Sequence, residues 1–405
     1  MILASRVTEK RIITLVFLLI GNVIPRADQM IFPPDSRIVD VTKPPYNVRP
    51  DGKQDVTRLL QQAIDDHPSR NAIIYLPPGI YRVSDTIRWS RTSDGNAWKR
   101  IILQGAGPQQ TMIRLADHTP AFGPQAAVRS KAKKHIKPSG KPVIWTGKAP
   151  AQRFRNAIRD LTIHTGSGNP GATGVQFIAN NQGCIRNVVI QSGDGTGVVG
   201  LDLGYTDEQG PCLIQNVTVK GFNIGIYCWG AVDSITFSGI TLQNQISWGI
   251  RNEHQVISIE KLNARGPAPV LNNVFPDGVV TLLHADLTAT PAQDKTAQRP
   301  AIINRGVLYA RHIKAVGYSP IIRDRERRIG TGEIIAEYTS HPPLVFPEQS
   351  ASLPAPLPIR ETPDTVYPPL TDWVSPTQFG AKPNDKVDDT IAFQAAIDSG
   401  KRVLY

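Results

Sequence analysis

The chain has 405 residues, of which 40% are hydrophobic and 20% are charged, with 33 Gly and 34 Pro. This composition is globular rather than disordered, and so many Gly and Pro residues argue against a mainly helical protein. The net charge of +11 favours an acidic polysaccharide or an anionic cell surface, with solubility alone as an equal alternative. No helix-turn-helix, zinc-finger or RNA-binding motif supports a nucleic-acid partner.

Residues 1–30 carry the pattern of a secretory signal peptide. Arg6, Lys10 and Arg11 precede the apolar run IITLVFLLIGNVI at positions 12–24, as in the positive and hydrophobic regions of such a signal. The run is shorter than the ~20 residues of a membrane span, but Pro-Arg-Ala at 25–27 is a poor cleavage site. An uncleaved anchor is therefore an alternative, and we expect a secreted, periplasmic or cell-surface protein.

A turn, a short helix and a strand open the first domain, in the stretch DGKQDVTRLLQQAIDDHPSRNAIIYLPPGIY that begins at Asp51. Asp55 precedes the helical pattern, and a short polar acceptor at a helix start is typical of capping rather than catalysis. We expect this helix to cover the open end of a stack of strands, where unpaired edges need protection. The basic run RSKAKKHIKPSGK at 129–141 is interpreted as a solvated loop.

Two series of apolar residues recur from residue 155 onward, one after Asn- or Asp-like positions and one after Gly or another small residue. Short, alternating, β-branched segments predict strands, and repeats this short bury apolar surface only by stacking. We predict an all-β, single-stranded, right-handed parallel β-helix with an N-terminal capping helix over residues 38–340, the handedness following the rule for parallel crossovers. The first series is Leu161, Val188, Val217, Ile240, Leu262, Leu287 and Ile313; the second is Val175, Leu201, Ile226, Ile250, Val270 and Ile302.

Three Asn residues and three Cys residues on this pattern indicate structural roles. Inward Asn side chains can stack between coils, and this applies to Asn252, Asn272 and Asn304. An odd number of Cys without metal-ligand spacing predicts buried thiols and no metal or other cofactor. The thiols are Cys184, Cys212 and Cys228, and a Cys184–Cys212 bridge is an alternative.

The residues that follow the second series predict an outward-facing candidate sugar site. Side chains alternate across a strand, and neighbouring rungs lie ~4.8 Å apart, so two aromatic rings are expected beside two carboxylates and a guanidinium. Sugar rings stack on such a platform while their hydroxyls form hydrogen bonds; an ordinary outer sheet is the alternative. The candidate residues are Asp202, Tyr227, Trp229, Arg251 and Glu253.

Residues 341–376 contain ten Pro and no periodicity, which is typical of an extended linker. Beyond it, residues 377–405 repeat the opening module: Asp388 matches Asp55 and Gln394 matches Gln61, each 333 positions later. A self-match at long separation predicts a repeated domain. We interpret residues 377–405 as the truncated start of a second β-helix domain.

The two modules resemble those of the pectate-lyase-like superfamily, right-handed parallel β-helices of which many act on polysaccharides outside the cell. The turn GAKPNDKVDDT, the helix IAFQAAI and the segment LPPGIY carry the resemblance. Two such modules, together with PAIINRGVLYARHIKAVGYSPII at 300–322, are most similar to glycoside hydrolase family 55, the exo-β-1,3-glucanases built from tandem β-helices. That family has its catalytic glutamate in the second β-helix, so no residue here matches it, and the first copy lacks the second Asp of the usual turn.

The resemblance implies a secreted, carbohydrate-active fragment of a tandem-domain polysaccharide hydrolase, β-1,3-glucanase-like, with a polysaccharide and the second β-helix as partners. Two alternatives stay open: a lyase acting on an acidic glycan, which the positive charge would suit, and a non-catalytic glycan-binding or surface module. Asp202 and Glu253 lie two rungs apart in the predicted ladder. Adjacent outward carboxylates are common by chance, and the catalytic residues stay unassigned.

Overall fold

The computed structural model describes residues 38–342 and 368–405, apart from gaps at 91–98, 125–129, 133–134, 139, 148–152, 207–208, 231–233 and 291–298, together with residues 32, 33 and 36. Within this part the chain is nearly all β, with helices α1 (Thr57–Asp65) and α2 (Thr390–Asp398). The strands are β1 Val39–Asp40, β2 Asp51–Asp55, β3 Ile73–Leu76, β4 Gly79–Val83, β5 Ile87–Arg88, β6 Ile102–Gly105, β7 Thr111–Leu115, β8 Ser130–Ala132, β9 His135–Lys137, β10 Lys141–Trp145, β11 Ala157–His164, β12 Ala172–Gln176, β13 Gly183–Gln191, β14 Val199–Asp202, β15 Cys212–Lys220, β16 Ile224–Trp229, β17 Ser234–Gln243, β18 Trp248–Glu253, β19 Val256–Gly266, β20 Leu271–Asn273, β21 Val279–Ala289, β22 Ile302–Asn304, β23 Val307–Val316, β24 Ile322–Asp324, β25 Arg327–Ile329, β26 Ile334–Thr339, β27 Trp373–Val374 and β28 Val403–Leu404.

Successive coils of the chain stack into two long sheets. The first sheet has the order β1-β3-β6-β11-β13-β15-β17-β19-β21-β23-β26, with β2, β4 and β7 alongside, and the second has the order β5-β10-β12-β14-β16-β18-β20-β22-β24-β25. From β10 to β24 the strands alternate between the sheets, and they pair in parallel until β26 and β25 close the sheets in antiparallel fashion. This is the right-handed parallel β-helix that the sequence predicted.

The two apolar series line the interior, with one register error in each. Leu262 pairs with Ala285 rather than with Leu287, and Ile250 pairs with Leu271 rather than with Val270. Leu287 and Val270 are themselves buried, with 1% and 3% of their surface exposed. Hydrophobicity alone therefore could not distinguish the true partner from its neighbour.

A column of residues with positive φ bends the long strands of the first sheet. Asn, Asp and Gly enter this left-handed region more readily than other residues, which explains why Asn and Asp precede the first apolar series. The column also marks the register: each of its residues directly precedes the inward apolar residue of its strand, and in β21 His284 precedes Ala285. Its members are Asp160, Asn187, Asn216, Gly239, Lys261, His284 and His312, with φ between 51° and 67°.

A buried ladder of amide side chains runs through the second sheet. Asn252 Nδ2 donates to Asn273 Oδ1 at 3.0 Å, and Asn273 Nδ2 donates to Asn304 Oδ1 at 2.9 Å. Asn304 Nδ2 then donates to Asp324 Oδ1 at 2.8 Å. The inward positions of Asn252 and Asn304 were predicted correctly, whereas Asn272 was wrong by one residue, because β20 follows the register of Leu271.

Helix α1 covers the N-terminal end of the stack, as predicted. Leu60, Ala63 and Ile64 are buried in the main core. The side-chain amide of Gln61 exchanges two hydrogen bonds, of 2.8 and 2.9 Å, with the backbone of Arg88 in β5. Asp55 accepts a hydrogen bond from the Thr57 amide at 2.9 Å, so its role at the helix start is structural.

Residues 368–405 repeat part of this local structure. Asp388 accepts a hydrogen bond from the Thr390 amide at 2.8 Å. Gln394 donates to Asp398 at 2.8 Å, as Gln61 does to Asp65 at 2.9 Å. The predicted signal peptide and most of the predicted linker lie outside the described residues, and a second β-helix domain stays a prediction.

None of the three cysteines, all of them among the described residues, forms a disulfide, and Cys212 and Cys228 are buried. The alternative of a Cys184–Cys212 bridge is therefore wrong: the register places Cys184 opposite Leu213, and Cys212 opposite Gly183. Among the described residues, no group of three or more His, Cys, Asp or Glu side chains is arranged to hold a metal ion.

Candidate functional site

The outer face of the second sheet brings the five predicted site residues together. The strand register pairs Asp202 with Tyr227 and Tyr227 with Arg251, and it pairs Trp229 with Glu253. Tyr227 and Trp229 pack with Val199 and Ile224 in a small apolar cluster that is separate from the main core. The predicted outward row is therefore one contiguous patch, here called the outer patch.

A column of glycines lets the strands that carry the outer patch lie close to the first sheet and to the next strand of their own sheet. A Cβ atom at Gly200 would lie 2.3 Å from a methyl carbon of Val219, and one at Gly225 would lie 2.6 Å from the carbonyl oxygen of Gly249. Such contacts are too short for any larger residue. This close approach explains why the second apolar series follows glycine.

Glu253 is the centre of a hydrogen-bond network in the outer patch. The Tyr227 hydroxyl donates to Glu253 Oε2 at 2.8 Å, and Arg251 Nε donates to Glu253 Oε1 at 2.6 Å. Burial, with a further contribution from Glu253, raises the pKa of Tyr227 above its usual range, so the hydroxyl stays protonated and donates. The Glu253 side chain is 0% exposed, but that of Arg251 is 26% exposed.

Asp202 lies beside this network and is also fully buried. Its carboxyl group accepts hydrogen bonds from Gln176 Nε2 at 3.1 Å and from the Gly204 amide at 3.0 Å. Burial raises the pKa of Asp202 to about 7, although these hydrogen bonds and the charge of Lys137 oppose the rise. The group can therefore gain or lose a proton near neutral pH.

Lys137 lies over the outer patch. Its Nζ atom is 2.9 Å from the centroid of the Trp229 ring, a cation–π contact. Asp202, Tyr227 and Glu253 are each 0% exposed, so the prediction that these three side chains face solvent is wrong. Trp229 and Arg251 are half-buried and form the accessible edge of the patch.

No local signal in the sequence indicated the position of Lys137, which was assigned to a solvated loop. A run of basic residues predicts exposure, yet Lys137 is only 8% exposed. Lys137 ends β9, which pairs with β8 outside the second sheet, whereas its partner Trp229 ends β16 of the second sheet. The one usable signal was the expected outward ring of Trp229, which can attract a cation.

Another open cleft, of about 610 Å³, lies beside α1. Several of its charged side chains already pair within the structure: Lys141 Nζ lies 2.8 Å from Asp85 Oδ1, and Asp55 holds the start of α1. No aromatic ring lines it. We assign no function to this cleft.

Comparison with known proteins identifies the family. Residues 39–266, more than half of the chain, match the family described as rhamnogalacturonase A/epimerase, pectate lyase-like. No curated protein sequence matches the chain significantly. Among the described residues, no helix has the length and apolar character needed to cross a membrane.

Several solved structures share the fold at low sequence identity. The catalytic domain of a glycoside hydrolase family 87 α-1,3-glucanase, in complex with tetrasaccharides, is 14% identical with a TM-score of 0.43, over 76% of this chain and 50% of that chain. ORF18 of Geobacillus virus E2 is 14% identical with a TM-score of 0.37, over 71% of this chain and 62% of that chain. The A-module of an Azotobacter vinelandii mannuronan C-5 epimerase is 14% identical with a TM-score of 0.33, over 68% of this chain and 80% of that module.

The chain thus spans about half the length of the glucanase domain and less than two thirds of the viral protein. The resemblance to the pectate-lyase-like superfamily is confirmed by the family match, whereas the narrower resemblance to β-1,3-glucanases stays a prediction. The chain belongs to the rhamnogalacturonase A/epimerase, pectate lyase-like family, a carbohydrate-active family of parallel β-helices.

Proposed function

We propose that the chain is a secreted polysaccharide-binding β-helix and that the outer patch is its sugar-binding surface. The observation that carries this proposal is the half-buried Trp229 ring beside the Arg251 guanidinium, which Glu253 holds in place at 2.6 Å. Lys137 covers one face of the Trp229 ring, so the accessible remainder of the ring would offer the stacking surface to a sugar. The fixed guanidinium would offer hydrogen-bond donors to the sugar hydroxyls.

The burial of the two carboxyl groups favours binding over catalysis at this patch. Glycoside hydrolysis generally requires two carboxyl groups ~5–9.5 Å apart on either side of the scissile bond. Asp202 and Glu253 are both enclosed, and Glu253 is already paired with Arg251. This observation supports the alternative of a non-catalytic binding module for residues 38–340.

Hydrolysis would then belong to a second β-helix that begins at residues 377–405. The repeated hydrogen bonds at Asp388 and Gln394 support this organisation. The exposed apolar face of α2 also supports this organisation, since Phe393 and Ile397 are 48% and 58% exposed. The matching residues of α1, Leu60 and Ile64, are only 2% and 1% exposed. By resemblance to the tandem exo-β-1,3-glucanases, the glycan would be a β-1,3-glucan or a related polysaccharide.

The test is calorimetric titration of the full chain with β-1,3-gluco-oligosaccharides, comparing wild type with Trp229→Ala. Loss of one stacking surface is expected to weaken binding about two- to tenfold. Trp248→Ala is the matched control, because Trp248 packs against the same outer cluster near the opposite end of its strand. Equal affinities of wild type and Trp229→Ala would contradict the proposal.

A further inference from the structure

The last coils of the β-helix concentrate positive charge. Residues 299–330 contain eight Lys and Arg residues but only two acidic residues. Five of the arginines are exposed: Arg327 and four others, Arg305, Arg323, Arg325 and Arg328, which are here called the arginine cap. This segment therefore holds more than half of the net charge of the chain.

The strand register brings the arginine cap together. Arg323 and Arg328 are directly opposite each other in the antiparallel pair β24–β25, so their side chains lie on one face. The Arg305 amide donates to the Asn273 carbonyl at 3.0 Å, and the Arg325 amide donates to the Asn304 carbonyl at 2.8 Å. Arg305 and Arg325 thus occupy equivalent positions on neighbouring rungs, ~4.8 Å apart.

A buried acid supports one side of the cap. Asp324 is 0% exposed and ends the amide ladder; its Oδ1 atom lies 3.6 Å from Arg325 Nη1, and its Oδ2 atom accepts from the Tyr338 hydroxyl at 2.6 Å. Arg327 also pairs with Asp324. One enclosed carboxylate therefore positions two guanidinium groups beside the rest of the cap.

The antiparallel pair at the end of the stack places two basic residues directly opposite each other. Like charges directly opposite each other in a sheet are destabilising, and Arg323 and Arg328 are such a pair. Basic residues at an edge strand also prevent strand addition. Protection of the sheet edge explains the basic residues on β25. It does not explain Arg305, which lies between β22 and β23, one coil away from that edge.

The cap lies on the same outer face as the outer patch. Glu253, Val274, Arg305 and Arg325 each follow a member of the buried ladder, so they mark one row across consecutive coils. Glu253 is buried, so a linear polymer lying along the β-helix axis could contact this row from Val274, after β20, to Arg325, after β24. An extended polyanion fits this geometry better than a single small anion.

We propose that the arginine cap binds an anionic polysaccharide through the carboxylate or sulfate groups on its sugars. Guanidinium groups form paired hydrogen bonds to both kinds of anion. The carbohydrate-active family favours a polysaccharide over a nucleic acid. Binding at the cap is independent of the sugar site proposed around Trp229.

The experiment measures binding of the full chain to immobilised polygalacturonate, dextran sulfate, duplex DNA and neutral dextran in a series of NaCl concentrations. We expect at least one charged polymer to bind and neutral dextran not to bind. Replacing two cap residues, Arg305→Gln with Arg323→Gln, should weaken binding about tenfold, since two exposed charge contacts are lost. A preference for one charged polymer then identifies carboxylate or sulfate as the recognised group.

The matched control is Arg49→Gln with Lys53→Gln, which removes the same charge from exposed positions near the N-terminal end; it should change affinity less than about twofold. Equal weakening by both double variants would show a mere net-charge effect and would overturn the proposal. So would binding to neither charged polymer, or tighter binding to duplex DNA. If the double variant is unstable, the single variant Arg305→Gln, in a turn, replaces it in the same comparison, with an expected weakening of about threefold.

Discussion

Asp202 is a fully buried carboxyl group whose pKa of about 7 lies above the ~3.9 of an unfolded chain. Between about pH 4 and about pH 7, Asp202 is therefore protonated in the folded state but mostly ionised in the unfolded state. The stability that the proton contributes is fully present below about pH 4 and is lost as the pH rises through about 7. Well above pH 7, Asp202 is ionised in both states, so its contribution to stability no longer changes with pH.

We expect Asp202→Asn to flatten the pH dependence of stability. Between pH 5 and pH 7.5 the free energy of unfolding of wild type should fall more steeply than that of the variant, because the amide has no proton to lose. Chemical denaturation across this pH range measures both slopes. Asp286→Asn, at an exposed position of β21, is the control, and identical slopes for Asp202→Asn and wild type would refute the raised pKa.

The position of Asp202 could be predicted from the sequence, but its environment could not. Alternation along β14 placed it on the outward row beside Tyr227, and the register agrees. The charge that acts on Asp202, Lys137, is 65 positions earlier in the chain. The alternation of side chains along a strand predicts the face of the sheet on which a residue lies. It does not predict which distant parts of the chain cover that face.

At the scale of elements, the buried amide ladder ties the coils of the second sheet together. Asn273 donates to Gly278 at 2.9 Å and to Asn304 at 2.9 Å, and it accepts from Asn252 at 3.0 Å. Asn273→Ala would remove these three hydrogen bonds; Asn252 and the Gly278 carbonyl keep bonds to Gln255 and Val307, whereas the buried Asn304 Oδ1 loses its partner. An unsatisfied buried acceptor costs about 1–3 kcal/mol, so we expect a loss of about 2 kcal/mol in the free energy of unfolding, measured by denaturant titration.

Asn263 provides the matched control for that measurement, since it is exposed on β19. Asn263→Ala should change the free energy of unfolding by less than about 0.5 kcal/mol. Similar small effects of both substitutions would contradict a structural role of the ladder.

The glycine column yields a second prediction at this scale. The methyl group of Gly200→Ala would collide with Val219 and with the carbonyl of Gly225, and overpacking of this kind costs about 1–3 kcal/mol. Gly332→Ala, where a Cβ atom meets nothing within 4 Å, should be nearly neutral. Thermal unfolding of the two variants distinguishes them, and equal melting temperatures would refute the close approach of the strands.

The elements themselves were predictable because each coil repeats one pattern, whereas their exact register was not. The Asn-apolar and Gly-apolar steps located β11 to β19 and β12 to β18. The errors at Val270 and Leu287 arose where two apolar residues, one or two positions apart, are both buried. The register there depends on backbone features, such as the positive φ of His284, that the hydrophobic pattern does not contain.

At the scale of the whole molecule, the two helices test the proposed tandem organisation. Leu60 in α1 is 2% exposed, whereas Phe393, its counterpart in α2, is 48% exposed. We expect Leu60→Asp to cost about 4 kcal/mol or more, because it buries a charge. Phe393→Asp should stay within about 0.5 kcal/mol in this chain.

Melting temperatures of the two variants, recorded by circular dichroism, provide the comparison. A large loss from Phe393→Asp would contradict the idea that the apolar face of α2 is uncovered in this chain. A rise in solubility without a change in melting temperature would support it.

The central claim is that a glycan binds the outer face of the second sheet at Trp229, and hydroxyl-radical footprinting of the full chain tests it most directly. Oxidation of each tryptophan is followed by mass spectrometry with and without a saturating β-1,3-gluco-oligosaccharide. The account predicts that Trp229 becomes protected while Trp373, in the C-terminal segment, does not change. Binding of the oligosaccharide without protection of Trp229 would contradict the account.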